Sequence, residues 1–207
     1  YEFIYASAGI HPCNVQTQPQ ITHQELIKIL NHKKIIGIGE TGLDYYHDLQ
    51  YKELQMTSFI EHIKASQQTN IPVIIHSRDA DDDMIKVLEK QQNIKQFPAL
   101  LHCFSSSKEL ALKAIELGIY ISVSGIVTFN SAKELQEIVK EVPLELLLVE
   151  TDSPYLAPTP FRGKINQPAF TSLVVDYIAK LKNVSRETII EQTTQNFFRI
   201  FTKAKAL

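Results

Sequence analysis

Short apolar runs alternate along this chain with longer stretches whose apolar positions recur at helical spacing. Residues 4–10, 35–40, 72–76, 99–102, 119–124 and 146–150 are short, apolar and bounded by polar or Gly/Pro-bearing turns, which predicts strands. Helices are predicted over 24–34, 50–68, 82–91, 107–117, 131–140 and 170–181, with a last one from after Ser185 to about Phe201. In 107–117, Leu110, Ala111, Ala114 and Ile115 form one apolar stripe; Ser107 can cap its start and Gly118 can close its end. Repeated strand–helix units imply parallel strands joined by crossover helices. A (β/α)₈ barrel takes about 250 residues, so six strands in 207 residues fall roughly two units short of one. An open doubly wound sheet fits the alternation equally well, and where the chemistry lies separates the two.

Composition narrows the picture little: 44% hydrophobic and 21% charged residues describe a globular chain, expected as one domain over residues 1–207. A formal charge of -2 excludes a broad basic surface, so any nucleic acid must be gripped locally. Cys13 and Cys103 make neither a CxxC pair nor a disulfide framework, which points to a reducing compartment, the cytoplasm. No apolar run approaches the ~20 residues of a membrane span, and no membrane partner is expected. A monomer is expected. The chain opens on Tyr1-Glu2-Phe3 without a methionine and enters a strand-like stretch almost at once, which reads as a fragment.

Four predicted strands end in residues that bind metals or protons: Glu40, His76, His102 and Asp152. Barrel active sites are built from the C-terminal ends of several strands. Imidazoles and carboxylates together are the N/O donor set of Zn²⁺, Mn²⁺ or Mg²⁺. Alternation along each strand puts Ile36, Ile38 and Glu40 on one face, Leu100 with His102, and Leu146, Leu148, Glu150 and Asp152 together. By the same parity Cys103 should turn away from the site. His23, His32, His47 and His62, in polar segments, read as surface residues. Asp79-Ala-Asp-Asp-Asp83 reads as acids in the first turn of a helix rather than as a metal site.

The segments around these positions carry a resemblance. Gly39-Glu-Thr-Gly-Leu-Asp44, Ile75-His-Ser-Arg-Asp79, His102-Cys-Phe-Ser105, Glu150-Thr-Asp-Ser-Pro-Tyr-Leu-Ala-Pro158 and Pro160-Phe-Arg-Gly-Lys164 resemble, in order and spacing, the signatures of the TatD family of metal-dependent deoxyribonucleases. Gly9-Ile-His-Pro12 and Asn196-Phe-Phe-Arg199 match as well. The resemblance implies a TIM-type (β/α)₈ hydrolase barrel using one or two divalent ions (Mg²⁺, Mn²⁺ or Zn²⁺) to hydrolyse phosphodiester bonds of DNA, exonucleolytically. It implies that Glu40 is shared between two ions, that His76 and His102 hold one, and that Asp152 binds the other and helps deprotonate the attacking water. The family's first strand bears a His-x-His pair with no counterpart here, so by that layout this chain starts at the third strand and the Asp152 ion lacks two ligands.

Secondary candidates each have an ordinary reading beside the functional one. His11 contacts substrate or merely packs a turn before Pro12. Arg162 and Lys164 contact phosphates or lie in a solvated loop. Arg78 reaches a phosphate or pairs with Asp79 or Asp44, and Glu150 orients a metal-bound histidine or pairs with a buried base. Three other functions compete with the nuclease. One is a hydrolase of the same barrel class acting on cyclic amides or phosphotriesters, whose bridging carbamylated lysine is replaced here by Glu40. The others are a D-aminoacyl-tRNA deacylase and a catalytically impaired remnant.

Overall fold

A computed structural model describes residues 1–205. The chain forms two compact units, Tyr1–Leu101 together with the segment from Phe198 onward, and His102–Phe197.

In the first unit the elements run β1 (Ala6–Ala8), α1 (His23–Leu30), β2 (Ile35–Asp44), α2 (Tyr45–Asp48), α3 (Lys52–Thr69), β3 (Val73–Arg78), α4 (Asp81–Ile94) and β4 (Ala99–Leu101). Its strands pair in chain order, each parallel to the next. A reciprocal capping box starts α1: Thr22 accepts from the Glu25 N–H, and Glu25 accepts from the Thr22 N–H. Leu26 and Leu30, one turn apart, pack with Ile38, Ala65 and Ile71 into a closed apolar cluster. Helix α3 differs, because much of its covered face is polar: Gln55, Ser58, His62 and Ser66 are buried beside Phe59 and Ile63.

Strand β2 continues four residues past its predicted end, through the Gly-Glu-Thr-Gly-Leu-Asp block. Its register against β3 shifts between Ile38 and Thr41. One glycine lies within the shift and a second just beyond it. Gly39 and Gly42 both have positive φ, and a Cβ on Gly42 would lie 2.0 Å from the His76 carbonyl oxygen. Only glycine lets the two backbones approach so closely there.

The second unit runs α5 (Lys108–Glu116), β5 (Tyr120–Val123), α6 (Lys133–Glu141), β6 (Leu147–Val149) and α7 (Thr171–Lys182), followed by α8 (Arg186–Ile200). Ser107 caps α5 through the Leu110 N–H, and Gly118 follows the helix with φ +69, as the pattern predicts. Strand β5 is buried along its whole length and pairs in parallel with β6, with Ser122 opposite Leu148. Buried Asn196 donates its side-chain amide to the carbonyls of Leu144 and Leu147, fixing the entry to β6.

All six predicted strands are present among the described residues. Their parity argument fails at two ends. β4 stops at Leu101, so His102 and Cys103 lie in a turn, with Cys103 left-handed and its sulfur 3.1 Å from the Ser124 hydroxyl. β6 stops at Val149, and Asp152 follows in left-handed conformation rather than as a strand residue. The polar reading of the histidines also needs correction. His62 is fully buried and His23 is mostly covered against Glu61, while His32 is exposed as expected. No helix is long and apolar enough to cross a membrane.

Candidate metal centre

In the first unit β2 presents Glu40 and Asp44, β3 presents His76, and the turn after β1 presents His11. Parallel register sets Gly42 opposite His76, and the imidazole of His76 then lies between two carboxylates. Its Nδ1 is 2.8 Å from Glu40 Oε1 and its Nε2 is 3.0 Å from Asp44 Oδ2. His11 closes on the same oxygen, Nε2 to Glu40 Oε1 at 3.4 Å, while its Nδ1 accepts the Cys13 N–H. One ligand atom from each of His11, Glu40 and His76 can be chosen so that all lie within 4.8 Å of one another. The His11 and His76 rings meet edge to face at 4.7 Å.

Asp44 is a buried hub, a role that its place at the end of segment 39–44 and a possible pairing with Arg78 do not by themselves reveal. Gln55 holds its backbone from both sides, accepting from the Asp44 N–H at 2.8 Å and donating to its carbonyl at 3.0 Å. Burial acts to raise the Asp44 pKa, but hydrogen bonds from the His47 side chain and backbone and from His76 outweigh it and hold the carboxyl at about 2. His47, expected only as a surface residue, is exposed yet keeps Nδ1 2.9 Å from Asp44 Oδ2. Burial, with the Asp44 carboxylate beside it, pushes the Cys13 thiol up to about 12.

The second unit carries another donor group. His102 places Nδ1 2.9 Å from Glu150 Oε1 and Nε2 3.7 Å from Asp152 Oδ1. Ser122, from the buried run of β5, donates to Glu150 Oε2 at 2.5 Å. Glu150 is thus a carboxylate set against one ring nitrogen of a histidine whose other nitrogen faces Asp152, an arrangement that fits both an orienting carboxylate and a plain pair with a base. Buried Asn166 ties the carbonyls of Thr151 and Tyr155 together and so fixes the loop that carries Asp152. Nothing in the local sequence marks Asn166, whereas a hydroxyl inside an apolar strand, as at Ser122, is a readable signal.

The remaining candidates lie on surfaces. Arg78 stacks its guanidinium over Tyr46 at 4.1 Å. Arg162 lies over the Phe129 ring at 4.5 Å, and Lys164 is exposed two residues on. The acids Asp81, Asp82 and Asp83 lie in the first turn of α4, where Asp83 also pairs with Lys52 at 2.6 Å and accepts from the Tyr45 hydroxyl.

The donor geometry suits a divalent ion. A metal–donor bond of ~2.1 Å sets neighbouring donors ~3.0 Å apart in octahedral and ~3.4 Å in tetrahedral geometry. The separations at Glu40 are 2.8 and 3.4 Å, and His102–Asp152 is slightly wider at 3.7 Å. Histidine nitrogens with carboxylate oxygens are the chemistry of Zn²⁺, Mn²⁺ or Mg²⁺ sites.

Parallel strands with histidines and carboxylates at their C-terminal ends define the class, a metal-dependent hydrolase with an α/β fold of the barrel type. The family model for TatD related DNase matches residues 1–202, and the chain belongs to that family. It is 46% identical over 195 residues to the uncharacterized metal-dependent hydrolase YcfH of Escherichia coli strain K12, covering 94% of this chain and 72% of the relative. It is 39% identical over 201 residues to the uncharacterized metal-dependent hydrolase YabD of Bacillus subtilis, covering 97% and 78%. The crystal structure of YjjV, a TatD homolog from Escherichia coli K12, superposes with a TM-score of 0.89 at 27% identity, over 98% of this chain and 78% of that one.

Proposed function

We propose that the protein hydrolyses phosphodiester bonds in DNA with a divalent-ion-activated water, removing nucleotides from a strand end. The observation that carries this reading is the His11–Glu40–His76 group, three N/O donors gathered from separate elements at strand ends. Glu40 and His76 would hold an ion in the first unit, and His102 with Asp152 in the second. Such an ion lowers the pKa of bound water and offsets the charge that builds at phosphorus.

The chain's own groups do the rest. Glu150 Oε2 accepts a hydrogen bond from the His102 Nδ1–H at 3.0 Å, which fixes the tautomer and leaves Nε2 as the donor atom. Asp152 accepts the proton of the attacking water. His11 would join Glu40 and His76 at the ion or meet the substrate phosphate beside it, and Arg78, Arg162 and Lys164 would contact substrate phosphates, which suits a chain whose net charge of -2 requires a local grip. The family description, TatD related DNase, favours the same substrate.

The test is digestion of an end-labelled single-stranded oligonucleotide with Mn²⁺ or Mg²⁺, beside Glu40→Gln and His102→Ala. A metal-dependent ladder is expected, reduced at least ~100-fold in each variant, since loss of a ligand should cost more than loss of the groups that orient it. A ladder that survives both substitutions would sink the assignment of these residues. No cleavage by a folded, metal-loaded protein would remove DNA as the substrate and leave the hydrolase class standing.

A further inference from the structure

Beside the Glu40 group lies a second set of donors of different chemistry. Cys13 sits in the short helical turn Pro12–Asn14, Asp44 ends β2, and His47 lies on α2, all in the first unit. One ligand atom from each, the Cys13 sulfur, an Asp44 oxygen and a His47 nitrogen, can be chosen so that all lie within 4.8 Å of one another. We propose that Cys13, Asp44 and His47 form a separate binding site for a zinc-class divalent cation.

The donor set argues for that class. Thiolate, imidazole and carboxylate together suit a borderline-soft ion such as Zn²⁺, whereas Mg²⁺ takes oxygen donors. Three protein ligands leave a fourth position to water. The arrangement is preorganised on one side and open on the other. Asp44 is 1% exposed and its backbone is held by Gln55, so one ligand is fixed. His47 is 49% exposed, which gives an ion a route from solvent and lets the imidazole turn onto it.

The same three groups also make sense as a hydrogen-bonded cluster, with the Cys13 thiol and His47 both directed at Asp44. An entering ion would replace those hydrogen bonds, and coordination would release the thiol proton to solvent. The Glu40 group contains no sulfur, so the two sites are distinguishable by spectroscopy whether or not the nuclease reading holds.

Co²⁺ titration of the full chain tests this directly. A thiolate-to-cobalt charge-transfer band in the near ultraviolet is expected, saturating at one thiolate-bound ion per chain and displaced by Zn²⁺. The band should persist in Cys103→Ser and disappear in Cys13→Ser, and His47→Ala should weaken cobalt binding at least tenfold by the same signal. Circular dichroism confirms that each variant is folded. Should Cys13→Ser fail to fold, the His47→Ala and Cys103→Ser titrations still decide the matter. Absence of the band in the folded parent chain, its loss in Cys103→Ser, or an affinity indifferent to His47→Ala would overturn the proposal. Oligonucleotide digestion measured in parallel reports on the Glu40 group separately.

Discussion

His62 ties the stability of the first unit to pH through one imidazole. Its Nδ1–H donates to the Ser58 carbonyl at 2.7 Å, and its Nε2 accepts the Ile10 N–H at 3.0 Å, so the folded state needs the neutral ring. Burial lowers its pKa below the ordinary value of 6.5, against smaller opposing effects of the Ser58 carbonyl and Glu61. The unfolded chain takes up a proton near pH 6.5 where the folded one does not. Stability from this group is therefore complete above that pH and is lost as pH falls toward the lowered folded-state value. Urea midpoints at pH 7.5 and 5.5 should fall more for the parent chain than for His62→Gln; equal losses would contradict this account. Reading the residue from sequence failed because Glu61 and Lys64 lend it a polar neighbourhood. The strand-end residues were legible because a charged or imidazole group closing an apolar run is conspicuous, whereas a histidine inside a mixed helix is not.

At the scale of the element, α3 explains that failure. Its buried face bears Gln55, Ser58, His62 and Ser66, and three of these hold backbone rather than meet solvent: Gln55 grips Asp44, His62 bridges the Ser58 carbonyl and the Ile10 N–H, and Ser66 donates to the Ile71 carbonyl. Hydrophobic periodicity locates such a helix but cannot say which side faces inward. Helix α5, with an apolar stripe and a serine cap, was readable almost to the residue. Strand ends were less so. β2 ran on through two glycines whose tight approach to β3 no alternation pattern encodes, while β4 and β6 stopped short of the residues they deliver. Gln55→Ala should strand two backbone groups of Asp44 without partners and cost about 2–3 kcal/mol. Chemical denaturation would measure it, and a loss below ~0.5 kcal/mol would mean that water replaces the amide readily.

Across the whole molecule, charge sets how a polyanion would be held. With 21 basic against 23 acidic residues, the chain offers no broad field of attraction. If Arg78, Arg162 and Lys164 supply the phosphate contacts, about three neutralised phosphates give a slope of about −2 for log affinity against log salt on single strands. Fluorescence anisotropy of a labelled oligonucleotide with the Glu40→Gln variant would measure it, and a slope steeper than about −4 would require further cationic contacts. The fold class was legible at this scale because strand–helix alternation survives small errors at every boundary. The donor geometry was not, since it depends on backbone turns at residues 102–103 and 150–152 that lie outside any repeating pattern.

The glycine at position 42 bears on how variation in this chain should be interpreted. Every replacement adds a Cβ where the His76 carbonyl already stands, whatever the chemistry of the side chain beyond it. In a mutational survey that position would look as intolerant as Glu40 while contributing no atom to a reaction. Intolerance along this stretch therefore mixes two kinds of constraint, and replacements that keep shape and alter charge, such as Glu40→Gln, test whether a group does chemistry or only seats its neighbours.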